Sequence, residues 1–282
     1  MRDASNAKKP AVLLLAHGSP DSVDEVPEFL LRVTGGRPLP PHIVEEVKHR
    51  YALIGRSPLT ELTLKQGELV AQELGLPVFV GMRNWRPFIG DSLQAMISNS
   101  ISRAVVICLA PQNSRTSVGL YRSALGNNLS FCVDFVESWH DHPLLIKAFA
   151  EKLHSGWQRA SGEMGTKVPI IFTAHSVPQR TITEGDPYEA QAKETASLVA
   201  QEARLEPQEW TFAFQSQGMS GGAWLGPTVE DTISGLKAKG HRGVFIQPIG
   251  FLCDHVEVLY DIDIGFKQFA QKQGMRLWRA ES

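Results

Sequence analysis

Residues 12–20 read VLLLAHGSP and residues 170–178 read IIFTAHSVP. Each is an apolar run followed by Ala-His, then a small residue and a proline, so His17 and His175 are equivalents 158 positions apart. A second echo follows each of them. Trp85-Arg86-Pro87 leads through IGDSL to Arg103-Ala104-Val105-Val106-Ile107, and Trp224-Leu225-Gly226-Pro227 leads through VEDTI to Arg242-Gly243-Val244-Phe245-Ile246. Here the offset is 139, both from Trp85 to Trp224 and from Arg103 to Arg242. The difference between 158 and 139 is a net insertion of 19 residues in the first half. Two elements repeating at similar offsets mark a duplicated unit. The reading is α/β: two similar doubly wound, Rossmann-like domains with parallel four-stranded sheets, each presenting a histidine at the end of its first strand.

Strands and helices alternate outward from these runs, as a doubly wound sheet requires. Strands are expected at 11–16, 77–82, 104–109, 131–136, 168–174, 210–215 and 243–249, all rich in the Val, Ile, Leu and Phe of strands buried on both faces. PHIVEEVKHRYALI (41–54) and LTLKQGELVAQEL (62–74) carry apolar residues at three- and four-residue steps and read as helices. Asp186-Pro187-Tyr188-Glu189 reads as an N-cap, a first-turn proline and a capping-box glutamate. Gly226-Pro227 opens a later helix with Glu230 and Asp231 in its first turn, where the helix dipole favours anions. SGEMGTKVP (161–169) is the expected linker, so the domains are read as 1–150 and 151–282, with a helix over 141–160 near the boundary.

A length of 282 residues suits two domains of about 100–150 residues each. The net charge of −2 comes with no long basic block, which argues against a nucleic-acid partner. MRDASNAKKP (1–10) lacks the apolar stretch of a signal peptide, and no apolar run reaches 18 residues, so no transmembrane segment and a cytoplasmic location are expected. Cys108, Cys132 and Cys253 form no C-x-x-C pair and are read as free, buried thiols, with no iron–sulfur cluster. GxGxxG, P-loop, GxSxG and HExxH patterns are missing, so dinucleotide, ATP, acyl-serine and zincin chemistries lack their usual groups.

In open α/β sheets, ligands bind beyond the carboxyl ends of the strands, which is where His17 and His175 fall. If the two lobes face each other, both histidines look into one cleft. The other candidate is CDHVEVLYDID (253–263), in which Asp254, Glu257 and Asp261 are spaced to share one stripe of a helix. Like charges on one face raise one another's pKa. A neutral imidazole is both a base near neutral pH and a ligand for a borderline divalent metal, and a glutamate with a raised pKa takes and gives protons.

With these residues in view, the chain resembles the ferrochelatases, which insert ferrous iron into a porphyrin to make haem. The resemblance runs from about Val12 to Asp263. It rests on LAHGSP, RYALIGRSPL (50–59), GMRNWRPFI (81–89), LAPQNS (109–114), SVGLY (117–121), VESWHDHP (136–143), TAHSVP (173–178), GDPY (185–188), FQSQG (214–218), WLGP (224–227) and DHVEVLYDID (254–263). It is nearest to the short, cluster-free bacterial form, which in many bacteria works on coproporphyrin III. By that resemblance His175 and Glu257 are the catalytic pair that handles metal and protons. Asp254, Asp261 and Asp263 form an acidic trail around that glutamate. His17, Arg50, Tyr51, Ser57 and Tyr121 contact the porphyrin, with Arg or Ser holding propionates. His17 departs from the pattern, because coproporphyrin-type enzymes often carry a tyrosine there that ligates the product iron. A histidine can ligate too, so His17 joins His175 and Glu257 as a metal candidate, and the porphyrin subtype stays open between coproporphyrin III and protoporphyrin IX. His175 either accepts a proton or holds the metal. AHGS is also similar to small chelatases that metallate sirohydrochlorin, and a non-catalytic tetrapyrrole-binding protein is the other rival. The expected partners are a porphyrin and Fe²⁺, with no further cofactor and the chain acting as a monomer. Histidine phosphotransferases also place His-Gly after a first strand, but they need an arginine before it, where this chain has Ala16.

Overall fold

The computed structural model describes residues 9–217 and 222–282. The chain forms two compact units. The first is made of residues up to Ala110 and of Ser117–Ser138, and the second of Pro111–Thr116 and Trp139–Ser282.

The first unit runs β1 (Pro10–Ala16), α1 (Val26–Val33), α2 (Pro41–Ile54), α3 (Leu59–Leu74), β2 (Val78–Met82), α4 (Ile89–Ser98), β3 (Arg103–Cys108), α5 (Val118–Leu125) and β4 (Cys132–Val136). Its four strands are all parallel in the order β2-β1-β3-β4. Period-two alternation in β1 sends Leu13 and Leu15 into a core shared with Ile89, Met96, Val106 and Val118. On the other face, Gly67 of α3 lies so close to β2 that a Cβ there would meet Val80 Cγ2 at 2.8 Å. Val78 Cγ1 and a Leu14 methyl complete this packing, 3.8 and 4.0 Å from the same point.

The second unit runs α6 (Pro143–Met164), β5 (Ile170–His175), α7 (Gln179–Thr183), α8 (Tyr188–Glu202), β6 (Trp210–Gln215), α9 (Val229–Ala238), β7 (Gly243–Pro248), α10 (Val256–Leu259), a π-helical turn (Asp261–Phe266), α11 (Lys267–Lys272) and β8 (Arg276–Arg279). The strand order is again all parallel, β6-β5-β7-β8. One face of the sheet packs Phe172, Phe214 and Phe245 against Leu153 and Phe149 of α6 and Ala192 and Val199 of α8. The other packs Ile171, Val244 and Ile246 against Ile233 of α9, Val258 of α10, and Ile262 and Phe266 of the π-helical turn. Both sheets are thus doubly wound, as the two sequence echoes imply.

The register refines the repeat. Val12 pairs with Val105 and Ile170 with Phe245, so the third strands align at an offset of 140, not 139. The extra residue is Gly226, which turns Trp-Arg-Pro into Trp-Leu-Gly-Pro. Gly243 therefore takes the place of Arg103, and Arg242 precedes its strand. Arg86-Pro87 and Gly226-Pro227 are both cis. In each unit the carbonyl of that proline accepts from the second strand, from Met82 N at 2.7 Å and from Phe214 N at 2.8 Å.

Four expectations shift. The boundary falls at Ser138/Trp139 instead of 150/151, because α6 packs on α8, β7 and β8 of the second unit. The expected linker over 161–169 begins inside α6, which continues to Met164 and ends on Gly165 in the left-handed region (φ 69°). Asp186 sits one residue ahead of the cap position of α8 and accepts from Tyr188 N at 3.0 Å, while Glu189 pairs with Lys193 in place of closing a capping box. Thr228, not Gly226-Pro227, caps α9, its hydroxyl accepting from Asp231 N at 3.0 Å, with Glu230 and Asp231 in the first turn as expected.

A strap from the middle of the chain completes the second unit. Gln112 Nε2 donates to Thr195 Oγ1 and to the Ile249 carbonyl, each at 3.1 Å. Asn113 N donates to Gln191 Oε1 at 2.6 Å, and Asp186 Oδ2 accepts from Ser114 Oγ at 3.1 Å and Arg115 N at 2.8 Å. LAPQNS and GDPY are therefore, in this fold, the two sides of one buried polar joint.

Candidate active site

His175 is the last residue of β5, at the carboxyl edge of the sheet, where its backbone registers with Gln215 of β6. The ring is fixed from behind. Nδ1 hydrogen-bonds the Ser176 carbonyl, and the His175 carbonyl accepts from Tyr188 Oη at 2.9 Å. Donation from Nδ1–H leaves Nε2 as the working nitrogen. Nε2 lies 3.3 Å from Glu257 Oε1, and the two side chains are 31% and 34% exposed, so the pair is sheltered yet reachable.

Glu257 lies in the first turn of α10, directly after the loop that leaves β7. Its other oxygen, Oε2, is 3.4 Å from His255 Nε2. Its carbonyl accepts from Gln215 Nε2 at 3.1 Å, so the β6 residue opposite His175 also anchors the turn carrying Glu257. His255 was not read as a site residue in the sequence; its alternation with Glu257 in His-Val-Glu was the available signal. Burial alone would strip charge from this pair. It disfavours the imidazolium, but the Glu257 carboxylate beside it overrides burial and raises the His175 pKa to about 9. Burial likewise disfavours the Glu257 carboxylate, and His175 and His255 together hold its pKa well below 4.5. The sequence expectation of a raised glutamate pKa is thus reversed, because its nearest neighbours are two histidines instead of other acids.

The acidic residues do not share one helical stripe. Asp254 precedes α10, and the helix widens to π geometry from Asp261. Asp254 and Asp263 are both engaged by Arg279 of β8, with Arg279 Nη2–Asp254 Oδ2 at 3.1 Å and Arg279 Nε–Asp263 Oδ1 at 2.7 Å. Asp261 accepts from the Ser216 hydroxyl. Gly218 of FQSQG lies outside the described residues. Among the described residues, no group of three or more His, Cys, Asp or Glu is arranged to hold a metal.

In the first unit, His17 follows β1 and repeats the second unit's device, with Nδ1 3.0 Å from the carbonyl of the next residue, Gly18. Phe29 of α1, not singled out in the sequence, is the hub of its surroundings. It meets His17, Tyr51 and Trp85 edge-on, with ring centroids 5.8, 6.4 and 6.2 Å apart. Trp85 is fully buried and is a core residue. Tyr51, Ser57 and Tyr121 are buried, and Tyr51 Oη is 3.0 Å from Ser19 Oγ. Arg50 is half-buried and pairs with Glu46. Cys108 and Cys253 are buried as expected, and burial pushes the Cys108 thiol up to about 12; Cys132, also expected to be buried, is instead exposed because β4 is the edge strand of its sheet.

Gly18 is the hinge of the His17 turn. Its φ is +86°, and a Cβ would sit 2.8 Å from Trp85 N and 2.9 Å from Trp85 Cβ. Left-handed strain and a clash with backbone act together, so Gly18→Ala is expected to destabilise the protein by about 3 kcal/mol. Urea unfolding checks this; a change under about 0.5 kcal/mol, the range of a neutral surface substitution, contradicts it.

The fold is that of the chelatases. It matches the sirohydrochlorin chelatase SirB from Bacillus subtilis subspecies spizizenii, solved with cobalt, at a TM-score of 0.55 and 10% identity, covering 96% of this chain and 86% of that one. The sequence goes further. The ferrochelatase family model matches residues 9–282. A ferrochelatase from Acidobacterium capsulatum is 53% identical over 98% of this chain and 89% of the relative. A coproporphyrin III ferrochelatase from Geobacillus is 33% identical over 97% of this chain and 92% of the relative. The chain belongs to the ferrochelatase family, and it is an enzyme of ferrous-iron insertion into a porphyrin. Among the described residues, no helix is long and apolar enough to cross a membrane.

Proposed function

We propose that His175 and Glu257 carry the insertion step on a porphyrin bearing propionates, coproporphyrin III or protoporphyrin IX. The observation that supports this is the 3.3 Å pair of Nε2 and Oε1 at the carboxyl edge of the second sheet. The reaction releases two pyrrole protons as Fe²⁺ enters, so the site must first receive a cation and then remove protons. An ionised Glu257 attracts Fe²⁺, and the approaching cation lowers the affinity of His175 for its own proton. The imidazole left when that proton passes to solvent is a base aimed through Nε2; it takes the two pyrrole protons in turn, Glu257 stabilising each imidazolium and solvent accepting each proton. A two-residue donor set holds iron weakly, which suits a metal that must be handed on. Asp261, through Ser216, is proposed to pass charge away from the pair, while Asp254 and Asp263 serve to place Arg279. In the first unit, His17, Arg50, Tyr51, Ser57 and Tyr121 are proposed porphyrin contacts, and His17 a ligand to the product iron. The chain is proposed to act in the cytoplasm as a monomer.

The test is anaerobic incubation with Fe²⁺ and coproporphyrin III, protoporphyrin IX or sirohydrochlorin, followed by absorption. One of the two porphyrins is expected to be metallated at least about 100-fold faster than sirohydrochlorin, the scale on which a misfitting substrate is rejected by its binding groups. Faster metallation of sirohydrochlorin overturns the reading.

A further inference from the structure

The two duplicated histidines end their strands alike, but the peptide behind each is held by a different device. In the first unit Asn84 N donates to the His17 carbonyl at 3.0 Å. Asn84 stands two residues past Met82, which registers with Ala16; its equivalent is Ser216, two past Phe214, which registers with Ala174. Ser216 instead enters the left-handed region (φ 60°), which residues with a side chain seldom adopt and which marks a functional constraint where it occurs. The His175 carbonyl takes its hydrogen bond from a side chain, Tyr188 Oη at 2.9 Å.

Tyr188 is the first residue of α8, and its ring is buried in the core of the second unit. Burial, reinforced by the Glu257 and Asp186 carboxylates, raises its pKa, so the hydroxyl stays a donor at every working pH. The chain of bonds continues outward from it. Asp186 Oδ1 accepts from Tyr188 N at 3.0 Å, and Asp186 Oδ2 accepts from Ser114 Oγ at 3.1 Å and Arg115 N at 2.8 Å of the strap. Arg115 also pairs with Glu184. On the far side of the His175 peptide, Ser176 N donates to the Gln215 carbonyl at 2.7 Å and Ser176 Oγ to the Leu225 carbonyl at 2.9 Å. The Ser176 carbonyl is the group that holds His175 Nδ1.

We infer that Tyr188, itself placed by Asp186 and the strap, is a positioning residue that fixes the peptide after His175 and through it the direction of Nε2 toward Glu257. This rests on the functional reading above and deepens it. Because Nδ1 bonds the very next carbonyl, a tilt of that peptide turns the ring, and a displacement of about 1 Å at a reacting group can cost about 100-fold in rate.

The test compares wild type, Tyr188→Phe, Asp186→Asn and Val199→Ala. It uses anaerobic iron insertion into whichever of coproporphyrin III and protoporphyrin IX the wild type metallates faster, and NMR of protein carrying isotope-labelled histidine. Phenylalanine keeps the buried ring and removes the donor. Tyr188→Phe is expected to lower kcat about 10- to 100-fold with the porphyrin KM within about threefold. The His175 Nδ1–H signal, sheltered on the Ser176 carbonyl in the wild type, should exchange with water at least about tenfold faster. Asp186→Asn can accept from Tyr188 N or from the strap but not from both, and should move both readouts the same way by less. Val199→Ala opens a cavity in the same core on the same helix; it should lower the urea midpoint and leave kcat and the Nδ1–H signal within about twofold. A loss confined to KM, an unmoved Nδ1–H signal in Tyr188→Phe, or an equal change in Val199→Ala overturns the inference. Should Tyr188→Phe fail to fold, Asp186→Asn decides on the same readouts. The NMR signal needs no iron, which separates the two readings. A wild type without turnover whose signal is still released by Tyr188→Phe removes the functional proposal alone, whereas turnover with an unmoved signal removes the positioning role alone.

Discussion

His175→Ala is expected to lower kcat for iron insertion by about 10³-fold while leaving porphyrin affinity within a few-fold of wild type. The substitution removes the one nitrogen that faces Glu257 Oε1 at 3.3 Å. It leaves in place Gln215, whose amide holds the Glu257 carbonyl, so the carboxylate keeps its position and loses its proton partner. The loss should therefore appear in the chemical step, read as anaerobic formation of the haem absorption bands. Fluorescence quenching of the metal-free porphyrin reports binding separately. A variant that metallates at near wild-type rate would remove His175 from the mechanism.

Glu257→Gln should cost a comparable factor in turnover, and it has a second signature independent of iron. Without the carboxylate, burial acts unopposed on His175, and its pKa should fall from about 9 to below 6.5. Proton NMR titration of the ring reads this directly; an unmoved titration contradicts the pairing. The same pair sets a stability profile. The raised His175 pKa stabilises the folded state fully below the unfolded value of 6.5, and that contribution is lost as pH rises through about 9. The lowered Glu257 pKa contributes stability above its unfolded value of 4.5, lost as pH falls through the folded value. Wild-type stability should accordingly decline between about pH 6.5 and 9 relative to Glu257→Gln, measured by urea unfolding across that window.

The duplicated Ala-His runs were legible because β1 and β5, almost wholly buried, are written as unbroken apolar residues. β3 and β4 follow from their apolar content although Arg103, Val105, Cys132 and Asp134 are exposed, so those two strands are not buried on both faces as expected. β8 was not seen. Arg276-Leu277-Trp278-Arg279 is short, and its two arginines interrupt the apolar run, although Arg103 pairs with Cys132 just as Gly243 pairs with Arg276. The repeat itself therefore demanded a fourth strand there. The His175–Glu257 pairing agrees with the family resemblance, but its electrostatics were misread. Local spacing put acids beside Glu257, whereas the nearest groups are His175 from another strand and His255. Arg279 lies 16 residues beyond Asp263, and only the sheet brings it back; helical spacing does not reach that far. Phe29 escaped notice for the same reason, because nothing in α1 says that three rings from three other segments converge on it.

Gln112, Asn113 and Ser114 find their partners at Thr195, Ile249, Gln191 and Asp186, all made later on the ribosome. Those partners lie 72 to 137 residues further along the chain. The C-terminal unit cannot be excised as one uninterrupted piece without forfeiting this joint. A gene split at Ser138 would leave the downstream product missing an internal part that only the upstream product carries.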